Sequence, residues 1–94
     1  MQVGLVAFHY PRPEYRAQML GRVRHAAEVI GAAPGCLGVD CWLGEGGTVI
    51  VTTGKWDCEG SFVSGFAAAR AAGVDFTFDE REARRREIFR LAGA

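Results

Sequence analysis

Apolar residues occupy both alternating faces of the segment Val3 to Tyr10. Val3, Leu5 and Ala7 point one way, Val6 and Phe8 the other. That pattern predicts a central strand covered on both sides. After Pro11-Arg12-Pro13 the period changes. Tyr15, Met19, Val23, Ala26 and Ile30 recur at spacings of three and four, with Arg16, Arg22, Arg24 and Glu28 among the polar positions. This is an amphipathic helix. Pro13 suits its first position, where a missing N–H costs nothing, and Gly31 followed by Pro34-Gly35 stops it.

Alternation returns at Cys36–Leu43. Leu37, Val39, Cys41 and Leu43 share one face, and Gly38, Asp40 and Trp42 the other. Gly44-Glu45-Gly46-Gly47 supplies the positive-φ residues of a hairpin turn. The β-branched run Thr48–Trp56 is then a third strand. Asp57 is placed to cap a second helix, whose buried stripe is Phe62, Phe66 and Ala69 and which ends at Gly73. Gly60 and Gly65 weaken that helix, so packing must hold it.

The last twenty residues admit two readings. The favoured one is a loop, a short helical turn carrying the Glu80–Arg84 and Glu82–Arg86 pairs, and a fourth strand at about Glu87–Leu91. The other is a strand at Val74–Phe78 followed by a C-terminal helix. The mixed-sign run Asp79–Arg90 reads as a solvated face. The favoured order is βαββαβ, an α+β ferredoxin-like domain with one antiparallel sheet spanning residues 1–94. Both helices fall on one face of that sheet. The first strand is apolar on both sides, so a homodimer with sheets face to face, a dimeric α+β barrel, is expected to cover the other.

Composition narrows the classes. Of the 94 residues 49% are apolar, which is globular rather than disordered. Eleven basic residues balance eleven acidic ones, with no basic stripe for nucleic acid. No run has the length of a membrane span, so neither nucleic acid nor membrane is an expected partner. The start lacks the features of a signal peptide. Cys36, Cys41 and Cys58 are odd in number and lack metal-ligand spacing, so reduced thiols and a cytoplasmic location are expected.

Three stretches resemble the antibiotic biosynthesis monooxygenase domains of the dimeric α+β barrel group. They are "APGCLGVDCW", the turn into the second strand; "VIVTTGKWDCEGSF", the strand that ends in tryptophan before a capped helix; and the spacing of the first helix. The likeness runs from Val3 to about Gly73. It implies oxygenation of an electron-rich, small hydrophobic aromatic substrate, polyketide-like or quinol, with no metal and no flavin of the protein's own. The implied steps are substrate deprotonation, electron transfer to dioxygen and recombination. Trp56 matches the family's tryptophan. Phe62 stands where some members carry a phenol, and Thr52 where some carry asparagine. Haem-degrading members need an asparagine on the first strand and a histidine in the second helix. This chain has no asparagine, and its only histidines are His9 and His25.

His9, at the end of the first strand, is the candidate base because imidazole titrates near neutrality. Asp40 is a second acid–base candidate if its face meets the cavity; otherwise it is a strand charge facing water. Trp56, Trp42, Tyr10, Phe62 and Phe66 are the candidate substrate-binding surface. Trp56 also serves as a plug between strand and helix. His25 sits among charged helix positions and is expected to be inert. Cys58, at a helix start, is the most reactive of the thiols if exposed. Two functions stay open: a cofactor-independent monooxygenase, or a non-catalytic dimeric module that binds a small ligand. They are separated by whether His9 and Trp56 converge on one enclosed cavity or the interior is filled by Phe8, Phe62 and Phe66.

Overall fold

In the computed structural model, which describes residues 1–94, the order of elements is β1 (Val3–His9), α1 (Arg16–Gly31), β2 (Cys36–Leu43), β3 (Ile50–Trp56), α2 (Glu59–Ala71) and β4 (Glu87–Ala92). The four strands form one antiparallel sheet in the order β2-β3-β1-β4. This is the split βαβ arrangement expected from the sequence. β1 is central, as its two-sided apolar pattern requires.

Local chemistry explains the boundaries. Pro13 opens a 3-10 turn, Pro13–Tyr15, that leads into α1. Gly46 and Gly47 take positive φ in the hairpin between β2 and β3, and the Gly44 N–H donates to the Val49 carbonyl at 2.8 Å. Strand β3 accordingly begins at Ile50, two residues after the β-branched run does. At the end of α2, Gly73 takes φ +88° and the Val74 N–H donates to the Ala69 carbonyl, the bond that closes a left-handed helix end. The residue that precedes α2 is Cys58 rather than Asp57. The Asp57 carboxylate is held instead by the Ser61 and Cys58 side chains, which lower its pKa.

The segment between α2 and β4 corrects one expectation. No helical turn forms there. Asp79 accepts from the Arg81 N–H at 3.0 Å and grips its guanidinium, so the chain makes an Asx turn. That grip brings the Asp79 pKa down to about 2. The Arg12 N–H then donates to the Arg81 carbonyl at 2.9 Å, and the Ala83 N–H to the Tyr10 carbonyl at 2.7 Å. These bonds tie residues 81–83 alongside the extension of β1. Long-range pairing thus wins over the helical spacing of the charges. Val74–Phe78 is irregular, so the strand-then-helix alternative does not form.

The helices pack on the face formed by Leu5 and Ala7 of β1, Ile50 and Trp56 of β3 and Val39 of β2. Met19, Val23 and Ile30 of α1 and Ala69 of α2 complete this core. The opposite face carries Val6, Phe8, Val51, Trp42, Phe89 and Leu91, and no element of the chain covers it. Trp42 is 58% exposed there and Phe89 50%. No helix is long and apolar enough to cross a membrane.

Candidate active site

Trp56 ends β3 and is 1% exposed. Strand residues two apart share a face, and its ring folds back over Gly54. A Cβ at Gly54 would lie 2.6 Å from the Trp56 Cη2. The glycine of "TTGKW" is therefore what lets the indole lie flat against its own strand. Phe62 meets the indole edge-on at 4.9 Å, and Phe66 leans on it at 6.0 Å.

Beside this aromatic wall, between sheet and helices, is a cavity of about 100 Å³ lined mainly by apolar side chains, among them Leu5, Ala7, Val23, Ile30 and Val39. His9, Trp56 and Phe66 all line it. Its interior is not filled by Phe8, which lies on the other side of the sheet against Phe89 at 6.2 Å. His9 and Trp56 thus line one cavity, and Phe8 does not fill it.

One end of the cavity is polar. His9 enters it from β1, Thr52 from β3, Arg22 from α1, and Asp75 and Arg86 from the segment between α2 and β4. Glu82 lies behind His9 and is only 3% exposed. Its Oε1 is 3.5 Å from His9 Nδ1, and its Oε2 accepts from Arg86 Nη2 at 2.5 Å. Arg86 also donates to the Phe76 and Thr77 carbonyls, pinning that loop over the cavity. Five buried polar atoms around this end have no hydrogen-bond partner in the protein: His9 Nδ1, Thr52 Oγ1, Glu82 Oε1, Arg22 Nη1 and Arg86 Nε. Buried polar atoms are rarely left so. His9 Nδ1 and Glu82 Oε1 face each other, whereas Thr52 and Arg22 line the cavity, where an unpaired polar atom can orient a ligand.

Burial, and after it the charge of Arg86, lowers the His9 pKa from its ordinary 6.5, while Glu82 pulls the other way. The net shift keeps the imidazole neutral, and able to accept a proton, at neutral pH. Burial and the Arg81 and Arg86 charges also lower the pKa of Arg22.

Several sequence candidates lie elsewhere. Asp40 and Trp42 point to the open sheet face, because their register partners Thr53 and Val51 do. Trp42 donates its indole N–H to Thr53 Oγ1 at 3.2 Å, and neither residue lines the cavity. Tyr10 also leaves the cavity. Its hydroxyl donates to Glu87, which raises its pKa, and Arg84 stacks on its ring at 4.1 Å. Phe62 backs Trp56 without lining the cavity itself. His25 is exposed on α1, and Cys58 is exposed with its sulfur 3.4 Å from Ser61 Oγ. Glu82, Arg22 and Arg86 line or back the site without having been candidates in the sequence, where Thr52 enters only as the counterpart of an asparagine. Of these, Glu82 and Arg86 sit inside the run that reads as a solvated face.

No family model and no curated protein matches the sequence. Solved structures do match. Rv0793 from Mycobacterium tuberculosis superposes with a TM-score of 0.83 at 18% identity, covering 100% of this chain and 96% of that one. A protein described as an antibiotic biosynthesis monooxygenase gives 0.82 at 14%, covering 98% of each chain. The chain has the antibiotic biosynthesis monooxygenase fold. SnoaB from Streptomyces nogalater, a cofactor-independent oxygenase, shares it at a TM-score of 0.74 and 12% identity, with 98% of this chain and 92% of that one covered. At such identities the antibiotic biosynthesis monooxygenase-like proteins vouch for the architecture, and the chemistry must be argued from the cavity.

Proposed function

We propose that this protein is a monooxygenase that acts on a phenol or quinol in the cavity beside Trp56, with no metal or flavin of its own. The observation that carries the reading is the convergence of a neutral, largely buried imidazole and an indole wall on one apolar cavity. The likeness in fold to SnoaB, a cofactor-independent oxygenase, supports it.

The chemistry follows from the side chains. His9 takes the phenolic proton. The phenolate passes one electron to dioxygen, and the radical pair joins at a ring carbon. The resulting C–OO⁻ takes the proton back from His9, and the C–OOH loses water with the hydrogen of the same carbon to leave a new carbonyl. One oxygen atom enters the product and the other leaves as water, and all four electrons come from the substrate. Trp56 and Phe66 offer flat surfaces for the ring, and Thr52 Oγ1 is an unpaired partner for a ring oxygen. Size narrows the class. An engineered cavity of about 150 Å³ takes one benzene, so about 100 Å³ has room for one ring at most. A one-ring quinol is favoured over a tricyclic polyketide, whose further rings must extend through the mouth or displace the Phe76–Arg86 cover.

The test is oxygen uptake by metal-chelated protein without added flavin, over hydroquinones, naphthols and anthrones. Saturable uptake above autoxidation, best with the one-ring compounds, is expected. No uptake with any of them would overturn the oxygenase reading in favour of a ligand-binding module.

The same proposal includes a second copy of the chain on the open sheet face. Val6, Phe8, Val51, Trp42, Phe89 and Leu91 make an apolar surface of the kind that marks an interface. Lys55, Asp40 and Glu87 lie on it with both signs of charge, so a two-fold copy can set unlike charges opposite each other.

A further inference from the structure

We infer that Glu82 is the positioning residue of this site: its buried carboxylate fixes His9 in the tautomer that carries the proton on Nδ1 and so leaves Nε2 as the proton acceptor. The inference rests on the proposed oxygenation for its catalytic meaning, but not for its structural test.

The argument starts from the two unpaired atoms. His9 Nδ1 and Glu82 Oε1 face each other at 3.5 Å, both buried and both without another partner. Two lone pairs in that position would repel. A proton on Nδ1 makes the same contact attractive, an N–H facing a carboxylate oxygen at a distance just beyond an ordinary hydrogen bond. An imidazole with Nδ1 protonated has its only lone pair on Nε2, the nitrogen on the side of the ring away from Glu82. The carboxylate cannot turn aside to avoid this role, because its other oxygen is held by Arg86 at 2.5 Å. Arg86 is itself anchored to the Phe76 and Thr77 carbonyls at 2.9 and 3.1 Å. Glu82 is fixed in the chain by the pairing of residues 81–83 with residues 10–12, the continuation of the strand that carries His9. Acid and base are therefore mounted on one rigid unit.

The chemical consequence is proton storage. When the substrate O–H gives its proton to Nε2, the ring becomes an imidazolium whose Nδ1–H already points at Glu82. The new positive charge forms next to a carboxylate inside a low-dielectric site, where the attraction is strongest. The charged groups that face His9 are Glu82 and Arg86 from the segment before β4, and Arg22 from α1. Asp75 lines the same cavity from the loop after α2, and β3 contributes only the neutral Thr52. Glu82 is the acid closest to the ring.

The direct test is the tautomeric state of His9 at neutral pH, read by long-range ¹H–¹⁵N NMR on the substrate-free protein. His25, exposed on α1, serves as an internal reference that should show the Nε2–H preference of imidazole in water. His9 is expected to show the reverse, with Nδ1 protonated and Nε2 unprotonated. Nε2–H at His9 would overturn the inference whatever the protein catalyses. Conversely, Nδ1–H in a protein that oxygenates nothing would leave the inference standing and remove the proposed reaction. In active protein, Glu82→Gln should lower kcat by between ~10-fold and the ~10²–10⁴-fold worth of a general base, with KM little changed. It should also move the acid limb of the rate profile to lower pH, because Glu82 is what holds the His9 pKa up. A limb that stays in place would reduce Glu82 to a purely structural residue. Should Glu82→Gln fail to fold, the tautomer of the unaltered protein still decides.

Discussion

Gly54→Ala is the sharpest test of how the aromatic wall is built. Gly54 does not have a positive φ, so the backbone accepts alanine, and any effect must come from the methyl group. That methyl would meet Trp56 Cη2 at 2.6 Å and Cζ3 at 2.9 Å, closer than carbon atoms approach without displacement. The indole has nowhere to retreat on its far side, where Phe62 and Phe66 stand against it. It must move toward the cavity. Overpacking of this kind costs ~1–3 kcal/mol, and replacing glycine by alanine within a strand returns ~0.5–1 kcal/mol. The contact is severe, so a net loss of about 1–2 kcal/mol is expected, or ~4–16 °C in Tm at ~4–8 °C per kcal/mol for a domain of this size. Thermal unfolding followed by far-UV circular dichroism measures it. A double-mutant cycle isolates the cause. Trp56→Phe removes the colliding atoms, so in that background Gly54→Ala should be neutral or stabilising, with a coupling of about 1 kcal/mol or more. An unchanged or raised Tm for Gly54→Ala alone, or strict additivity with Trp56→Phe, would refute the account of the ring lying over the glycine.

Three further outcomes are expected. His9→Ala should lower oxygen uptake by ~10²-fold or more with circular dichroism unchanged; activity that survives the change excludes His9 as the base. The folded protein favours neutral His9, because burial and Arg86 depress its pKa below 6.5. This contribution to stability is complete above pH 6.5 and is lost as pH falls below it through the folded pKa. Between pH 7 and ~5 the unaltered protein should therefore lose more stability than His9→Gln in urea titrations, and parallel curves would show that the imidazole is not buried. Light scattering at micromolar concentration should give twice the 10.2 kDa chain mass, and Phe89→Lys should return it to one chain; a monomer before mutation would leave the open sheet face without its proposed partner.

The framework of the fold was legible because it is written in local periods. The two-sided apolar pattern of Val3–Phe8 marked the central strand, and the three-four spacing from Tyr15 to Ile30 marked α1. The hairpin glycines and the turn at Gly73 needed only the rules of positive φ. Half of the site was legible for the same reason, since His9 and Trp56 end their strands on the helix-covered face. Alternation placed Asp40 and Trp42 together but could not choose their face. That choice belongs to β2's pairing with β3, which puts Val39 opposite Gly54 on the helix side and so turns Asp40 and Trp42 to the open one.

Glu82 was hidden for a different reason. Its spacing to Arg86 marks a charge pair, and the pair exists. Four residues apart is also the spacing of a solvated helix, and sequence spacing carries no information about burial in an irregular segment. What buries Glu82 is the pairing of residues 81–83 with residues 10–12, a contact across some seventy positions. The Asx turn at Asp79 aims the chain into that pairing. A buried carboxylate is costly unless paired, and Glu82 has a guanidinium on one oxygen and only His9 near the other. A chain selected for stability alone gains little from ending a charge network on an unprotonated imidazole. The network has a physical use once His9 must hold a proton that comes and goes, which ties the least regular segment of the fold to its most regular strand.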